Sequence, residues 1–382
     1  MTTRVDLHLH SRFSRRSEGW LFRRLGMVSS YSEPRALYDS LMERGFTHFT
    51  LTDHHCIEGC LALDGLGGVF ISEQITAIFP EDRISAEVLV WGITARQHDE
   101  LQALRENIYE LSGYLNEHQV AHAVAHPFFA QDAGLQTAHA EKLLLLFQHF
   151  EALCGLRAEL TNEFTTAFLQ SLDEEKMEAL ARRHAIKPTH PRSWEKFLIG
   201  GSGDYSGVFA GRTWTSTPAT AQSEELLKHI RSGRCQPQGK HGGPLTAAHG
   251  LYKRVFLAVG ERFEPVRRSA LAQQALSRFM EGQDPTSLTW RQKLELAVEG
   301  ILSGRVFELL KPANASLWKV LAAETDGDAL GSALQERISG LEEPEDRAFQ
   351  IANLITGRLG FQFVKSFIQQ VSEGNLIQAI QD

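Results

Sequence analysis

Two histidines near the start of the chain, His8 and His10, have the residue type and spacing of paired metal ligands. They lie in the segment 5–11, where Leu7 and Leu9 alternate with polar residues. Side chains alternate across a β-strand, so the two imidazoles share one face while Leu7 and Leu9 point to the other. Two imidazoles that converge from one face can bind a single ion. The segment therefore predicts half of a metal site.

Further side chains capable of chemistry lie at or just beyond the ends of other predicted strands. They are Asp53, His54, Glu73, His126 and Asp204. In parallel β/α folds the carboxyl ends of the strands form the functional face, so groups that are scattered in sequence can meet there. We expect these side chains to lie together with His8 and His10.

The elements that must position them alternate between strands and helices over residues 1 to about 215. Short apolar runs predict seven strands, at 4–10, 47–52, 69–73, 87–93, 121–126, 151–153 and 197–201. Apolar residues at three-and-four spacing predict helices between them, at 34–43, 98–117, 139–149 and 174–184. This alternation is typical of a parallel α/β sheet or barrel, and an open doubly wound sheet is the alternative.

The pattern changes after about residue 240. Helical periodicity dominates from there, with helices predicted at 244–259, 264–280, 288–302, 313–323, 328–338, 346–359 and 361–380. The Gly-Lys-His-Gly-Gly-Pro stretch at 239–244 is a plausible connector. We predict a first domain over 1–240 and a helical domain or appendage over 241–382.

Composition limits the classes of function. The net charge is −8 in 382 residues, and the sequence pI is about 6.1, which gives no general attraction for nucleic acid or anionic membranes. The four cysteines are too few and irregularly spaced for a disulfide framework. We expect a cytoplasmic protein, since the sequence contains neither a signal segment nor an apolar run long enough to cross a membrane.

Four short motifs together resemble those of the PHP (polymerase and histidinol phosphatase) family of metal-dependent phosphoesterases. They are His8-x-His10-Ser11, Thr52-Asp53-His54, Ser72-Glu73 and Ala125-His126-Pro127. The resemblance covers roughly the first 215 residues. It implies a distorted seven-stranded (β/α)7 TIM-like barrel with up to three ions of zinc, manganese or iron at the strand ends.

The chain looks most similar to the PHP domains that precede bacterial glycosyltransferases. The matching features lie at 11–14, Tyr38, Gly45, 79–82, 90–93, 105–108, 141–150 and 200–202, and the helical continuation after 239 is similar too. We do not carry over a glycosyltransferase activity, because the resemblance is to the PHP part.

The resemblance implies a metal site from which some ligands are missing. His8, His10, His54, Glu73 and His126 match ligand positions of the family. At four other positions the expected aspartate or histidine is replaced, by Arg15, Glu87, Gly203 and Tyr205. We therefore expect one or two ions, held by His8, His10, Glu73 and His126, with Glu87 or Asp204 assisting.

The remaining groups have expected roles in catalysis. His54 could act as general acid or base, and Tyr205 could donate a hydrogen bond to substrate. Arg15 opposes an extra cation and suits a bound phosphate or other anion. The prediction is a metal-dependent phosphoesterase acting on a small phosphorylated substrate. The alternative is a catalytically inactive PHP-fold protein that binds a ligand, a protein partner, or a second copy through its helical region.

Overall fold

The computed structural model describes residues 2–14, 28–128, 135–243, and residues 246, 250, 253 and 254. All of these belong to one compact unit, Met1–Arg254. The helices predicted beyond residue 254, and Arg15, lie outside the described residues. The proposed domain division at residue 240 stays a prediction.

The described part of the chain contains eight strands and eight helices. The strands are β1 Thr2–Val5, β2 Ser72–Ile78, β3 Ser85–Trp91, β4 Ala121–Val124, β5 His149–Cys154, β6 Phe197–Gly201, β7 Thr213–Pro218 and β8 Gln236–Gly239. The helices are α1 Pro34–Glu43, α2 Glu58–Leu61, α3 Ala95–Leu104, α4 Ile108–Glu117, α5 Thr137–Leu146, α6 Glu159–Gln170, α7 Glu174–His184 and α8 Ser223–Arg231. The result is a mixed α/β fold.

The strands form two sheets. The larger has the order β2-β3-β4-β5-β6, and the smaller has the order β1-β7-β8. Pairing is antiparallel from β2 to β4 and parallel from β4 to β6, and the smaller sheet is antiparallel throughout. The parallel pairing predicted for the sheet is therefore present in part, between β4 and β6. One reason that it does not extend to β2 and β3 is the short loop 79–84 between these strands, because only antiparallel neighbours can be joined so tightly.

Single bridges connect the two sheets around the histidine segment. Leu9 pairs in parallel with Asp204, just beyond β6, and His54 pairs in parallel with Gln74 in β2. The Thr52 amide donates to the Leu9 carbonyl at 2.8 Å. Residues 6–10 therefore lie between the end of β6 and the segment that contains residues 49–54. Beyond Val5, the strand predicted at 4–10 continues as the single bridge at Leu9, and the strand predicted at 47–52 forms the single bridge between Phe49 and Val69.

Apolar clusters pack on both faces of the larger sheet. One lies between the sheet and the helices and includes Val88, Leu111 and Phe150. The other includes Leu7, Trp91 and Ile230, and the Trp91 Nε1 donates to the Leu7 carbonyl at 3.0 Å. Among the described residues no helix has the length and apolarity to cross a membrane.

Candidate metal centre

His8 lies at the centre of a buried polar cluster. Its Nδ1 is 2.8 Å from Glu151 Oε1, and its Nε2 is 3.2 Å from His10 Nε2 and 3.1 Å from Gln74 Oε1. All four side chains are at most 2% exposed. Two potential ligand atoms, from His10 and Gln74, therefore lie within 3.2 Å of a third, His8 Nε2.

The backbone on both sides of His8 fixes this arrangement. The Gly203 amide donates to the His8 carbonyl, and the His10 amide donates to the Asp204 carbonyl at 3.0 Å. Gly201 packs so closely on His8 that a Cβ at residue 201 would lie 2.4 Å from the His8 Cβ. Any other residue at 201 would displace the imidazole.

The hydrogen-bond roles around His8 suit a cation. Glu151 accepts from His8 Nδ1, which leaves Nε2 with a lone pair in the neutral ring. Gln74 Nε2 donates to Glu87 Oε2 at 3.3 Å, so its carbonyl oxygen faces His8. The 3.2 Å between the two Nε2 atoms is close to the ligand spacing of about 3.3 Å around a tetrahedral ion with bonds of about 2.0–2.1 Å. The three atoms present therefore fit a divalent metal ion.

Burial and charge set the protonation of the histidines. Burial lowers the pKa of His8, but the Glu151 carboxylate beside it outweighs this and the net pKa is raised. Burial, followed by the nearby His54 and His8, holds the pKa of His10 well below its usual value. The pKa of His126 is also held well below that value, by burial and by the positive charge of Arg157. His10 and His126 are therefore neutral at pH 7, the form in which imidazole binds metals.

His54 and Tyr205 form a second layer on this cluster. His54 Nε2 is 2.9 Å from Tyr205 Oη. The Tyr205 ring stacks on His10 with centroids 3.9 Å apart, and the Arg254 guanidinium lies 5.5 Å from the Tyr205 centroid. A proton donor, a histidine and a cation therefore lie together on one side of His10.

Glu87 and His126 both line a small open pocket beside the cluster. Glu87 accepts from Thr76 Oγ1 at 3.2 Å, and its Oε2 is 3.9 Å from His54 Nδ1. The His126 amide donates to Glu151 Oε2 at 3.0 Å, and its ring centroid is 5.8 Å from that of His8. Both residues are thus near the cluster.

The structure does not bring Glu73 into the cluster. Glu73 accepts from Gln102 Nε2 at 2.7 Å, and its Oε1 is 2.9 Å from His98 Nδ1, so it faces helix α3. Because adjacent residues of a strand face opposite sides, Gln74 occupies the position on the cluster side of β2. The expectation that Glu73 is a metal ligand does not agree with this placement.

Asp204 is also turned away. Its carboxylate accepts from the Ser206 amide and hydroxyl at 2.9 and 2.6 Å and from the Phe209 amide at 3.0 Å. The Asp204 carboxylate therefore stabilises the loop that follows β6, and this placement does not support the predicted help of Asp204 in holding an ion. Gly203 has a φ of +61°, a conformation that suits glycine, so the loop turns there.

Three residues of the site were missed by sequence reasoning: Gln74, Glu151 and Cys154. His8, Glu151 and Cys154 offer ligand atoms that all lie within 4.8 Å of one another. Strand β5 was predicted at 151–153, so the position of Glu151 on a strand beside β4 could have pointed to it. The sequence does not show which face of β2 points to the cluster, so it could not favour Gln74 over Glu73.

Comparisons with known proteins place this chain in no family. No family model and no curated protein matches it. Among solved structures, PsfC from Pseudomonas syringae PB-5123 matches with a TM-score of 0.40 and 14% identity over 67% of this chain and 99% of PsfC. A protein named as a candidate metal-dependent phosphoesterase, from Bifidobacterium adolescentis ATCC 15703, matches with a TM-score of 0.29 and 13% identity over 52% of this chain and 86% of its own. At these TM-scores neither likeness assigns a fold or a function to the chain.

Proposed function

We propose that this chain is a metal-dependent phosphoesterase-like protein whose site binds one divalent ion through His8, His10 and Gln74. The observation that carries the proposal is the convergence of three buried acceptor atoms, with His8 Nε2 3.1 and 3.2 Å from the other two. Imidazole nitrogens favour zinc, and manganese or iron are the other candidates. The PHP resemblance supports the same assignment.

The chain's own groups have separate tasks in this proposal. Glu151 holds the His8 ring in one tautomer, as carboxylates commonly do behind a metal-ligating histidine. A bound ion would polarise a phosphoryl oxygen and make a water molecule more acidic. His54, hydrogen-bonded to Tyr205, would accept or donate the proton.

Two positive charges beside the cluster suit a phosphate ester. Arg254 lies over the Tyr205 ring, and its charge also lowers the pKa of His10. The charge of Arg157 likewise lowers the pKa of His126. A dianionic phosphate would be attracted by both guanidinium groups.

We also propose that the strands form the distorted barrel expected of a PHP domain. The single bridges at Leu9 and His54 support this, because they join residues 6–10 to the segments beside β2 and β6. On this proposal the candidate metal centre lies at the carboxyl ends of the strands.

A second candidate is a protein that binds its ligand without hydrolysis. The observation that favours it is the placement of Glu73 and Asp204, whose carboxylates face helix α3 and the 206–209 loop. Gln74 is neutral where a carboxylate would hold an ion more strongly. The loss of charged ligands reduces the capacity for a second ion.

Metal titration followed by a phosphatase screen tests the proposal. Full-length protein should bind one zinc ion per chain by calorimetry, and His10→Ala should lose this binding because one of three ligands is gone. The exposed His118 provides a matched control, since His118→Ala should bind like the wild type.

The outcomes separate the two candidates. The absence of metal binding at micromolar concentration, or binding retained in His10→Ala, would contradict the site. Metal binding with hydrolysis of simple phosphate monoesters supports the phosphoesterase. Metal binding without hydrolysis of any ester in the screen supports the ligand-binding alternative.

A further inference from the structure

Helix α6 presents apolar side chains to solvent. Leu160 is 79% exposed and Phe164 is 55% exposed, the two highest values among large apolar residues in the described part of the chain. The Phe164 ring contacts Phe128 and Phe168, with centroids 5.5 and 6.0 Å apart. We call Phe128, Leu160, Phe164 and Phe168 the aromatic platform. Exposed apolar side chains grouped in this way commonly mark a binding surface.

The aromatic platform lies at the same edge of the sheet as the candidate metal centre. Strands β4 and β5 are parallel neighbours, so the segments after their carboxyl ends emerge side by side. Phe128 comes two residues after His126, beyond β4, and α6 begins with Glu159 shortly after β5. The platform is therefore built on the two segments that also supply His126 and Arg157.

The segment between β5 and α6 also supplies a positive charge. Arg157 precedes α6 by two residues and is close enough to His126 to disfavour a second positive charge on that ring. The segments that follow β4 and β5 thus bring His126, a guanidinium group and an apolar surface to one edge of the sheet. A ligand that spans these features must have an anionic end and an apolar end.

We propose that the aromatic platform binds the apolar part of a phosphate ester, an aryl group in particular, whose phosphate lies at the candidate metal centre. The inference rests on the proposed function and specifies its substrate class. Rings that stack on or against Phe128 and Phe164 would cover apolar surface that is now in water. Leu160 and Phe164 are then specificity-determining residues that take no part in the bond cleavage.

Binding of two phosphonates to full-length protein tests this inference without relying on turnover. Phenylphosphonate should bind about tenfold more tightly than methylphosphonate by calorimetry, because only the former covers the platform. Leu160→Ala and Phe164→Ala should each reduce this preference about threefold or more. Leu160→Ala is the safer variant, since a side chain 79% exposed contributes little to folding. Leu61→Ala, at a residue 45% exposed on α2, should leave the preference unchanged.

Several results would overturn the inference. Equal binding of the two phosphonates, no binding of either, or an unchanged preference in Leu160→Ala would each contradict it. A dimer in sedimentation that Phe164→Ala dissociates would assign the platform to self-association instead.

Zinc and inorganic phosphate distinguish this inference from the proposed function. If both bind but the phenyl group brings no advantage, only the aromatic platform fails. If zinc does not bind while a phenyl preference is lost in Leu160→Ala, the metal site fails and the platform stands.

Discussion

Two adjacent residues of β2, Glu73 and Gln74, have opposite surroundings. Gln74 touches His8 and Glu87, whereas Glu73 contacts His98 and Gln102 on the helix side. Burial raises the pKa of Glu73, although the hydrogen bond from His98 opposes this shift. Because the two side chains lie on opposite faces of β2, Gln74 contacts the candidate metal centre and Glu73 does not.

Substituting each of these two residues tests whether Gln74, and not Glu73, contributes to metal binding. Gln74→Ala should weaken zinc binding about tenfold, because one of three converging ligand atoms is removed. Glu73→Gln should keep zinc affinity within about twofold of the wild type, since its carboxylate faces α3 and an amide of the same size replaces it. Calorimetric zinc titration of both variants measures this. A loss of affinity confined to Glu73→Gln would contradict our placement of the site.

The sequence could predict the His8 and His10 pair because strand alternation alone puts both imidazoles on one face. His54, His126 and Tyr205 were also predicted, and they lie near that pair. The sequence could not decide between Glu73 and Gln74. Adjacent residues lie on opposite faces of a strand, and the sequence does not show which face of β2 points to the site. Glu151 was missed because its contact with His8 spans 143 residues, a separation at which no local pattern is informative.

Elements with strong local signals were predicted with their observed bounds. Helix α1 begins with Pro34, which suits the first position of a helix, and α7 is capped by Asp173, whose side chain accepts from the Lys176 amide. The single helix predicted at 98–117 is instead α3 and α4, because Asn107 caps a new helix. Strand β7 was missed because its Thr and Ser residues lack an apolar pattern.

The amino ends of β4 and β5 contain two buried histidines, His122 and His149. The former donates from Nδ1 to the Val120 carbonyl and the latter from Nε2 to the Ile230 carbonyl, each at 2.7 Å. Their other ring nitrogens have no hydrogen-bond partner in the described part of the chain. Burial lowers the pKa of His122 to about 4 and that of His149 to about 3.

These two histidines make the stability of the unit sensitive to acid. In the unfolded chain both bind a proton below about pH 6.5, but in the folded chain they do so only near pH 4 and 3. The unfolded state therefore binds more protons between these values, and stability is lost as pH falls, by up to about 1.4 kcal/mol per pH unit for each histidine.

Replacing both histidines should flatten this dependence. We expect His122→Gln/His149→Gln to be less stable than the wild type at pH 7 but to lose less stability between pH 6.5 and 4.5. Urea midpoints measured across this range test it, with His118→Gln as the exposed control. An unchanged slope in the double variant would show that other groups cause the acid sensitivity.

At the scale of the whole unit, Asp6 joins segments that are far apart in sequence. Its carboxylate accepts from the amides of His8, Ser202 and Gly211 at 3.2, 2.9 and 2.8 Å. It thus connects the chain after β1 to the end of β6 and to the loop before β7. Sequence could not predict this connection, because the two distant partners are backbone groups.

Removing this carboxylate should destabilise the unit. Asp6→Ala leaves three buried amide donors without their acceptor, and we expect a loss of about 3 kcal/mol or more in the free energy of unfolding. Asp39→Ala is the control, because Asp39 forms an exposed pair with Arg35 and the loss of this pair should cost less than about 1 kcal/mol. Urea denaturation monitored by fluorescence measures both. Equal effects of the two substitutions would contradict a structural role for Asp6.

The central claim is that His8, His10 and Gln74 hold one divalent ion. The most direct measurement is an anomalous-scattering map at the zinc edge, from crystals of the full-length protein grown with zinc. We predict one strong peak within about 2.0–2.2 Å of His8 Nε2 and His10 Nε2. No peak at these nitrogens, or a peak beside Glu73 and His98 instead, would contradict the account.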